Sequence, residues 1–165
     1  MSADVDAIIA RLADAERRLA EHAAKPPPPG LTTADPGSGE QWEAGQVWAH
    51  LAEFPAYWLA QAQRVVALPT YEPVPFGRVK TDAGRIEAVE RDRHTDPAAL
   101  LERVRRSLAE VTEAVRALPP EAWTRRGAHP IRGDMTVQRI IEQFIVHHLE
   151  EHADQLDSLQ QAPPR

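Results

Sequence analysis

Cysteine is missing from this 165-residue chain. Disulfides, thiolate metal ligands and a cysteine nucleophile are therefore excluded. A basic surplus is missing too. The net charge of -6 and the pI near 5.6 argue against a nucleic-acid partner, which normally leaves a positive footprint. No apolar run approaches the roughly 20 residues of a membrane span, so no membrane partner is expected. The opening MSADVDAIIA turns charged too soon for a secretory signal, and a cytoplasmic location is the expectation. Strand-period alternation of useful length and internal repeats are lacking as well. What is present is 42% hydrophobic residues at a mean hydropathy of -0.46, a composition suited to a soluble globular protein. The length fits one domain over 1–165, since domains commonly run to roughly 100–200 residues.

Apolar residues recur at helical intervals in four stretches. The first runs from about Asp4 to Ala24 on Val5, Ile8, Ile9, Leu12 and Leu19, and stops at Pro26 to Pro29. A loop over about 25–40 follows. The second helix is predicted over about Gln41 to Leu68, with Ser38 and Gln41 at capping-box spacing and a kink at Pro55. Its stripe is Val47, Leu51, Phe54, Trp58 and Val65 or Val66. A long loop from Pro69 to Thr95 carries Pro73, Pro75 and Gly77. Asp96 and Pro97 open the third helix, which Pro119 and Pro120 end. Asp134 or Thr136 caps the fourth, striped by Val137, Ile141, Phe144, His148, His152, Leu156 and Leu159. Pro163, Pro164 and Arg165 read as a tail.

Histidines interrupt two of these stripes. His148 and His152 are four residues apart, which places them on one helix face one turn apart. They stand where leucine or isoleucine would otherwise continue the stripe. His50 does the same on the second helix, between Val47 and Phe54. Three imidazoles aimed at one core would cost several kcal/mol as unpaired polar groups, of order 1–3 kcal/mol each. A shared cation supplies a partner for all three, and imidazole nitrogen suits zinc, nickel, copper or ferrous iron. Hydrogen-bonded structural histidines are the alternative.

Heights along the helices test the idea. His50 lies roughly 14 Å from the start of its helix, and the His148–His152 pair roughly 15 Å from the end of the last one, at about 1.5 Å per residue. They meet only if helices two and four run oppositely. That requires an up-down-down-up four-helix bundle with a long crossover between helices 2 and 3, where the longest loop lies. Around the triad, Gln46, His147, Glu151, His129, Phe54, Trp58 and Phe144 are candidates for pocket walls or for bonds to the ligand rings. Glu53, Glu142 and Glu151 are candidates for a general base or for a bond to a histidine. His22 and His94 carry little weight as ligands. Arg78, Lys80 and Arg85 either greet an anionic substrate or form a solvated basic loop.

The stretches WEAGQVWAHL (42–51) and GDMTVQRIIEQFIVHHLEEHADQL (133–156) carry a family resemblance, as does DPAALLERVRRSLAEVTEAVRALPPEAW (96–123). Over roughly residues 5–160 the chain resembles the DinB-like superfamily of metal-binding four-helix bundles, which includes thiol-dependent transferases. The resemblance implies the same up-down-down-up bundle and a mostly histidine triad holding zinc or nickel, with His50, His148 and His152 at the matching positions. It also admits a homodimer.

Three protein ligands leave a coordination position open, as in catalytic rather than structural sites. A divalent metal there could lower the pKa of bound water towards about 7, polarise a substrate atom or hold a thiolate. With no cysteine in the chain, thiol chemistry would need a small-molecule thiol. The expected function is a metal-dependent hydrolase or transferase using a low-molecular-weight thiol. The alternative is a non-enzymatic metal- or ligand-binding bundle with a stress-related or sensory role.

Overall fold

The computed structural model describes residues 4–68 and 72–162. Pro69 and the Pro163–Arg165 tail of the sequence reading lie outside these residues. Helix α1 (Val5–Ala23) starts where the Asp4 carboxylate accepts the Ala7 amide at 3.0 Å. It buries Ile8, Leu12, Ala15, Leu19 and His22, a run of steps of four and three. Helix α2 (Ala44–Ala67) runs through Pro55 as one element. It begins later than predicted: Gln46 Oε1 accepts the Glu43 amide at 3.0 Å, so Glu43 caps α2 and Ser38 does not. The Ser38 hydroxyl bonds Asp35 in a turn of the preceding loop.

The crossover after α2 departs from the expected long loop. It contains a two-residue strand β1 (Val74–Pro75) and a ten-residue helix α3 (Ala83–Asp92). Asp82 caps α3 by accepting the Arg85 amide at 3.0 Å. Helix α3 is polar, with only Arg85, Ala88, Val89 and Asp92 buried, and so shows too weak an apolar stripe to declare itself. It lies against α2, and Gly45 permits the approach: a Cβ there would stand 2.1 Å from the Arg93 carbonyl oxygen.

Helix α4 (Pro97–Ala117) begins as predicted, the Asp96 carboxylate accepting the Ala98 amide at 3.1 Å. A second departure follows. Strands β2 (Arg126–His129) and β3 (Gly133–Thr136) form an antiparallel hairpin, and β1 joins β2 in parallel. Strands of two to four residues are too short to leave an alternation in the sequence. Thr136 then caps the last helix by accepting the Arg139 amide at 3.2 Å.

That last helix comes in three parts: α5 (Val137–Ile141), a π-helical turn (Glu142–His147) and α6 (His148–Gln161). A π turn holds more residues than an α turn and so rotates everything after it. The most buried positions pass from Ile140 to Ile145, a step of five, and then to Leu149, Ala153 and Leu156. His148 and His152 are thereby moved to the flank of the core seam.

Cross-helix pairs order the bundle. Arg11 meets Glu150, Arg18 meets Asp154 and Asp157, and His22 meets Asp157. His50, near the start of α2, meets His148 and His152, while Ala62 and Val66, near its end, lie with Val137 and Ile141. The protein is mostly helical and bundle-like, with a small three-stranded sheet added. Among the described residues, no helix is long and apolar enough to cross a membrane.

Candidate metal centre

His50, His148 and His152 come together. Each offers a ring nitrogen, and the three atoms lie within 4.8 Å of one another. Nε2 of His50 and Nε2 of His148 are 3.3 Å apart. His50 and His152 are buried and His148 is half-buried, so the cluster has one partly open side.

The other ring nitrogens are tied down by acceptors. His50 Nδ1 donates to Glu53 Oε1 at 2.8 Å and His152 Nδ1 to Gln155 Oε1 at 2.7 Å. The Phe144 backbone, in the π turn, raises the pKa of the His148 ring. Nδ1 of His50 and of His152 therefore carries the ring proton, and their Nε2 atoms present lone pairs. The His50 lone pair faces His148 Nε2 at 3.3 Å, where a ring proton or a shared cation can lie between the two nitrogens. His152 Nε2 is buried with no hydrogen-bond partner at all. Tetrahedral zinc with bonds of about 2.0–2.1 Å to imidazole places neighbouring nitrogens about 3.3 Å apart. The residues present fit a divalent metal.

Electrostatics point the same way. Burial, then the neighbouring His152 and His148, and then Arg85 and Arg78, push the His50 pKa well below its ordinary 6.5. His148 is lowered by burial and by His152, with the Phe144 backbone bond working against the shift. Burial lowers His152 to about 4, against the opposing Gln155 bond. All three rings are neutral at pH 7, the form that binds metal.

Aromatic walls hold the rings. Phe54 stacks on His148 with centroids 4.1 Å apart. Trp42 stacks on His152 at 6.0 Å and meets His50 edge-on at 5.1 Å. The loop before α2 delivers Trp42: its amide bonds the Thr32 hydroxyl oxygen, and its carbonyl accepts the Thr32 amide. Sequence reasoning missed Trp42, since a loop tryptophan has no periodicity to betray its direction. Gln155 had a usable signal in its three-residue offset from His152, the offset Glu53 has from His50.

The remaining candidates scatter. Gln46 is occupied with the α2 cap and lies 3.4 Å from Glu90, so it does not orient His50. His147 and Glu151 pair with each other at 3.3 Å on the exposed side of α6. Trp58 and Phe144 stack at 4.1 Å in a separate aromatic cluster with Phe76 and His129. His129 is buried there, its Nδ1 accepting the Ile131 and Arg132 amides at 3.2 Å. Gly77, at φ +88, lies so close that a Cβ would come 2.6 Å from the His129 ring. His22 is buried and bonded to Asp157 at 2.6 Å, while His94 is exposed in a turn.

The basic group of the crossover is spent internally. Arg78 binds Glu53 at 2.5 Å, Lys80 pairs with Asp35, and Arg85 binds Glu40 at 3.0 Å and the Lys80 carbonyl at 2.8 Å. The candidate bases are spent too. Glu53 receives His50 and Arg78, Glu142 receives the Gln138 amide at 3.0 Å, and Glu151 faces His147. Burial raises the Glu53 pKa while Arg78 and Arg85 pull it back.

Several solved structures share this architecture. YfiT from Bacillus subtilis, described as a probable metal-dependent hydrolase with an unusual four-helix bundle topology, superposes with a TM-score of 0.67 at 18% identity, covering 95% of this chain and 86% of that one. The mycothiol-dependent maleylpyruvate isomerase gives 0.64 at 13% identity, over 93% of this chain but only 61% of that one. ClbS, a colibactin self-resistance protein solved with double-stranded DNA, gives 0.65 at 10% identity over 97% of both chains. At such identities these likenesses show the fold. No curated protein matches the sequence. A family model does match, over residues 5–156 and thus across both helices that carry the histidine triad: the chain belongs to the DinB superfamily.

Proposed function

We propose that this protein is a divalent-metal-dependent hydrolase or transferase acting on a small molecule, with a low-molecular-weight thiol as the favoured co-substrate. The observation that carries the reading is the convergence of three ring nitrogens, one of them buried and partnerless, beside a half-buried ring. Zinc or nickel is the proposed metal, with iron a less favoured fit to the same three nitrogens. When bound, it would supply Lewis acidity at its open position.

This chain's own residues do the rest. His50, His148 and His152 present the ring nitrogens, with His50 held by Glu53 and His152 by Gln155. Phe54 and Trp42 keep water from the ring faces. Since the candidate bases are engaged, the nucleophile is best supplied by a ligand that brings its own ionisable group, as a thiol does. That same engagement favours a second reading, a non-enzymatic metal- or ligand-binding bundle with a sensory or stress-related role. The acidic balance of the chain argues against a nucleic-acid partner in either reading.

The ordered pairs between α1 and α6, and the opposed α2 and α6, support an up-down-down-up path through the bundle. A cytoplasmic setting suits a protein that needs a reduced small thiol. The test is metal analysis of untagged protein, followed by transfer and hydrolysis assays across a panel of small thiols. One metal per chain with turnover supports the enzyme. Metal with silence across the panel leaves the binding bundle, and no metal refutes the metal centre.

A further inference from the structure

Glu53 follows His50 by three residues on α2, and its Oε1 receives two donors at once. His50 Nδ1 lies 2.8 Å away and Arg78 Nη2 2.5 Å away. The three side chains are 3%, 10% and 9% exposed for His50, Glu53 and Arg78. Arg78 is itself held: its guanidinium lies over the Tyr57 ring, 3.9 Å from the centroid, and a second nitrogen faces Asp82 at 3.9 Å. Arg78 comes from the crossover between α2 and α3, which is pinned to α2 where Gln61 Oε1 accepts the Gly77 amide at 2.8 Å.

The arrangement is lopsided. Gln155, which holds the His152 ring, is neutral, and no carboxylate is bonded to His148 among the described residues. Of the three rings of the triad, His50 alone is hydrogen-bonded to a carboxylate, and a cation clamps that carboxylate in turn. A buried ion pair is a poor way to stabilise a helix already packed by Val47, Leu51, Phe54 and Leu59. As a support for a ligand ring it has a clear use, because such outer partners fix ring orientation and raise ligand basicity.

We propose that Glu53 is a positioning residue for the metal centre and that Arg78 locks its carboxylate against His50, making the α2–α3 crossover a working part of the site. The proposal rests on the metal-binding reading of the triad. It gives a residue outside the four long helices control over how tightly the metal is held.

The test uses the untagged full chain, with zinc affinity from competition against a chromophoric chelator and ligand geometry from the visible spectrum of the cobalt-substituted protein. Glu53→Gln should weaken zinc binding by about tenfold to a hundredfold and shift the cobalt bands. Arg78→Met should do likewise, and the double variant should be no worse than the weaker single one. Arg78→Lys should recover part of the loss. Should Glu53→Gln fail to fold, Arg78→Met carries the same expectation. Lowered thermal stability with unchanged zinc affinity and cobalt spectrum would overturn the proposal, because a merely structural pair acts in that way. Wild type that binds zinc alongside variants that bind it equally well sinks this inference alone. Wild type that binds none sinks the metal centre with it.

Discussion

Acid should unfold the metal-free protein in a window set by the triad. Burial holds His152 at about 4 in the folded state, whereas an unfolded histidine titrates near its ordinary 6.5. Between those values the unfolded chain binds a proton that the folded chain refuses, so stability falls as pH falls. Above 6.5 both states are neutral and the penalty is absent. The interval from 6.5 to about 4 corresponds to about 3 kcal/mol at about 1.4 kcal/mol per pH unit. His50 and His148 are also lowered, by burial first, and add to the loss. Against a typical total of about 5–15 kcal/mol, this is a large fraction. The assay is urea unfolding of chelator-treated protein at steps from pH 7.5 to 4.5, with His152→Leu alongside. Wild type should lose stability steadily below about pH 6.5, the variant should lose less, and added zinc should restore the difference at pH 6. Equal, flat stability of both proteins across the window would refute the claim that these rings are buried neutral.

His50→Ala and His152→Ala should each abolish stoichiometric metal while leaving the helical circular dichroism in place, because the core residues Val47, Leu51, Leu149 and Leu156 remain. Loss of helicity on either change would mean that the site holds the fold together. Gly45→Ala should cost about 1–3 kcal/mol, since its Cβ would meet the Arg93 carbonyl oxygen at 2.1 Å and push α3 from α2. Thermal denaturation reads this directly, and an unchanged midpoint would contradict the close packing there.

The long helices and the triad were legible because both depend on spacing within one element. Asp96 and Pro97 mark a helix start by local chemistry, and His148 and His152 declare a shared face by their offset alone. What was hidden depends on partners far along the chain. Helix α3 holds its place through Gly45 and Arg93, and β1 pairs with a strand some fifty residues later. Arg78, which the sequence left between substrate contact and solvated loop, is instead committed to Glu53. The π turn was invisible for a different reason. Regular periodicity assumes a constant number of residues per turn, and that number changes between Ile141 and His148.

That wide turn makes the aim of the site a matter of chain arithmetic. Residues before it dock on the far half of α2, and those after it present imidazoles to the near half. Winding positions 142–147 as ordinary α-helix with no residue removed would swing everything beyond them by about 100°. The histidines would then sweep away from α2 although neither had been altered. A relative that lost one residue here would wind an unbroken α-helix with its coordinating groups still facing α2.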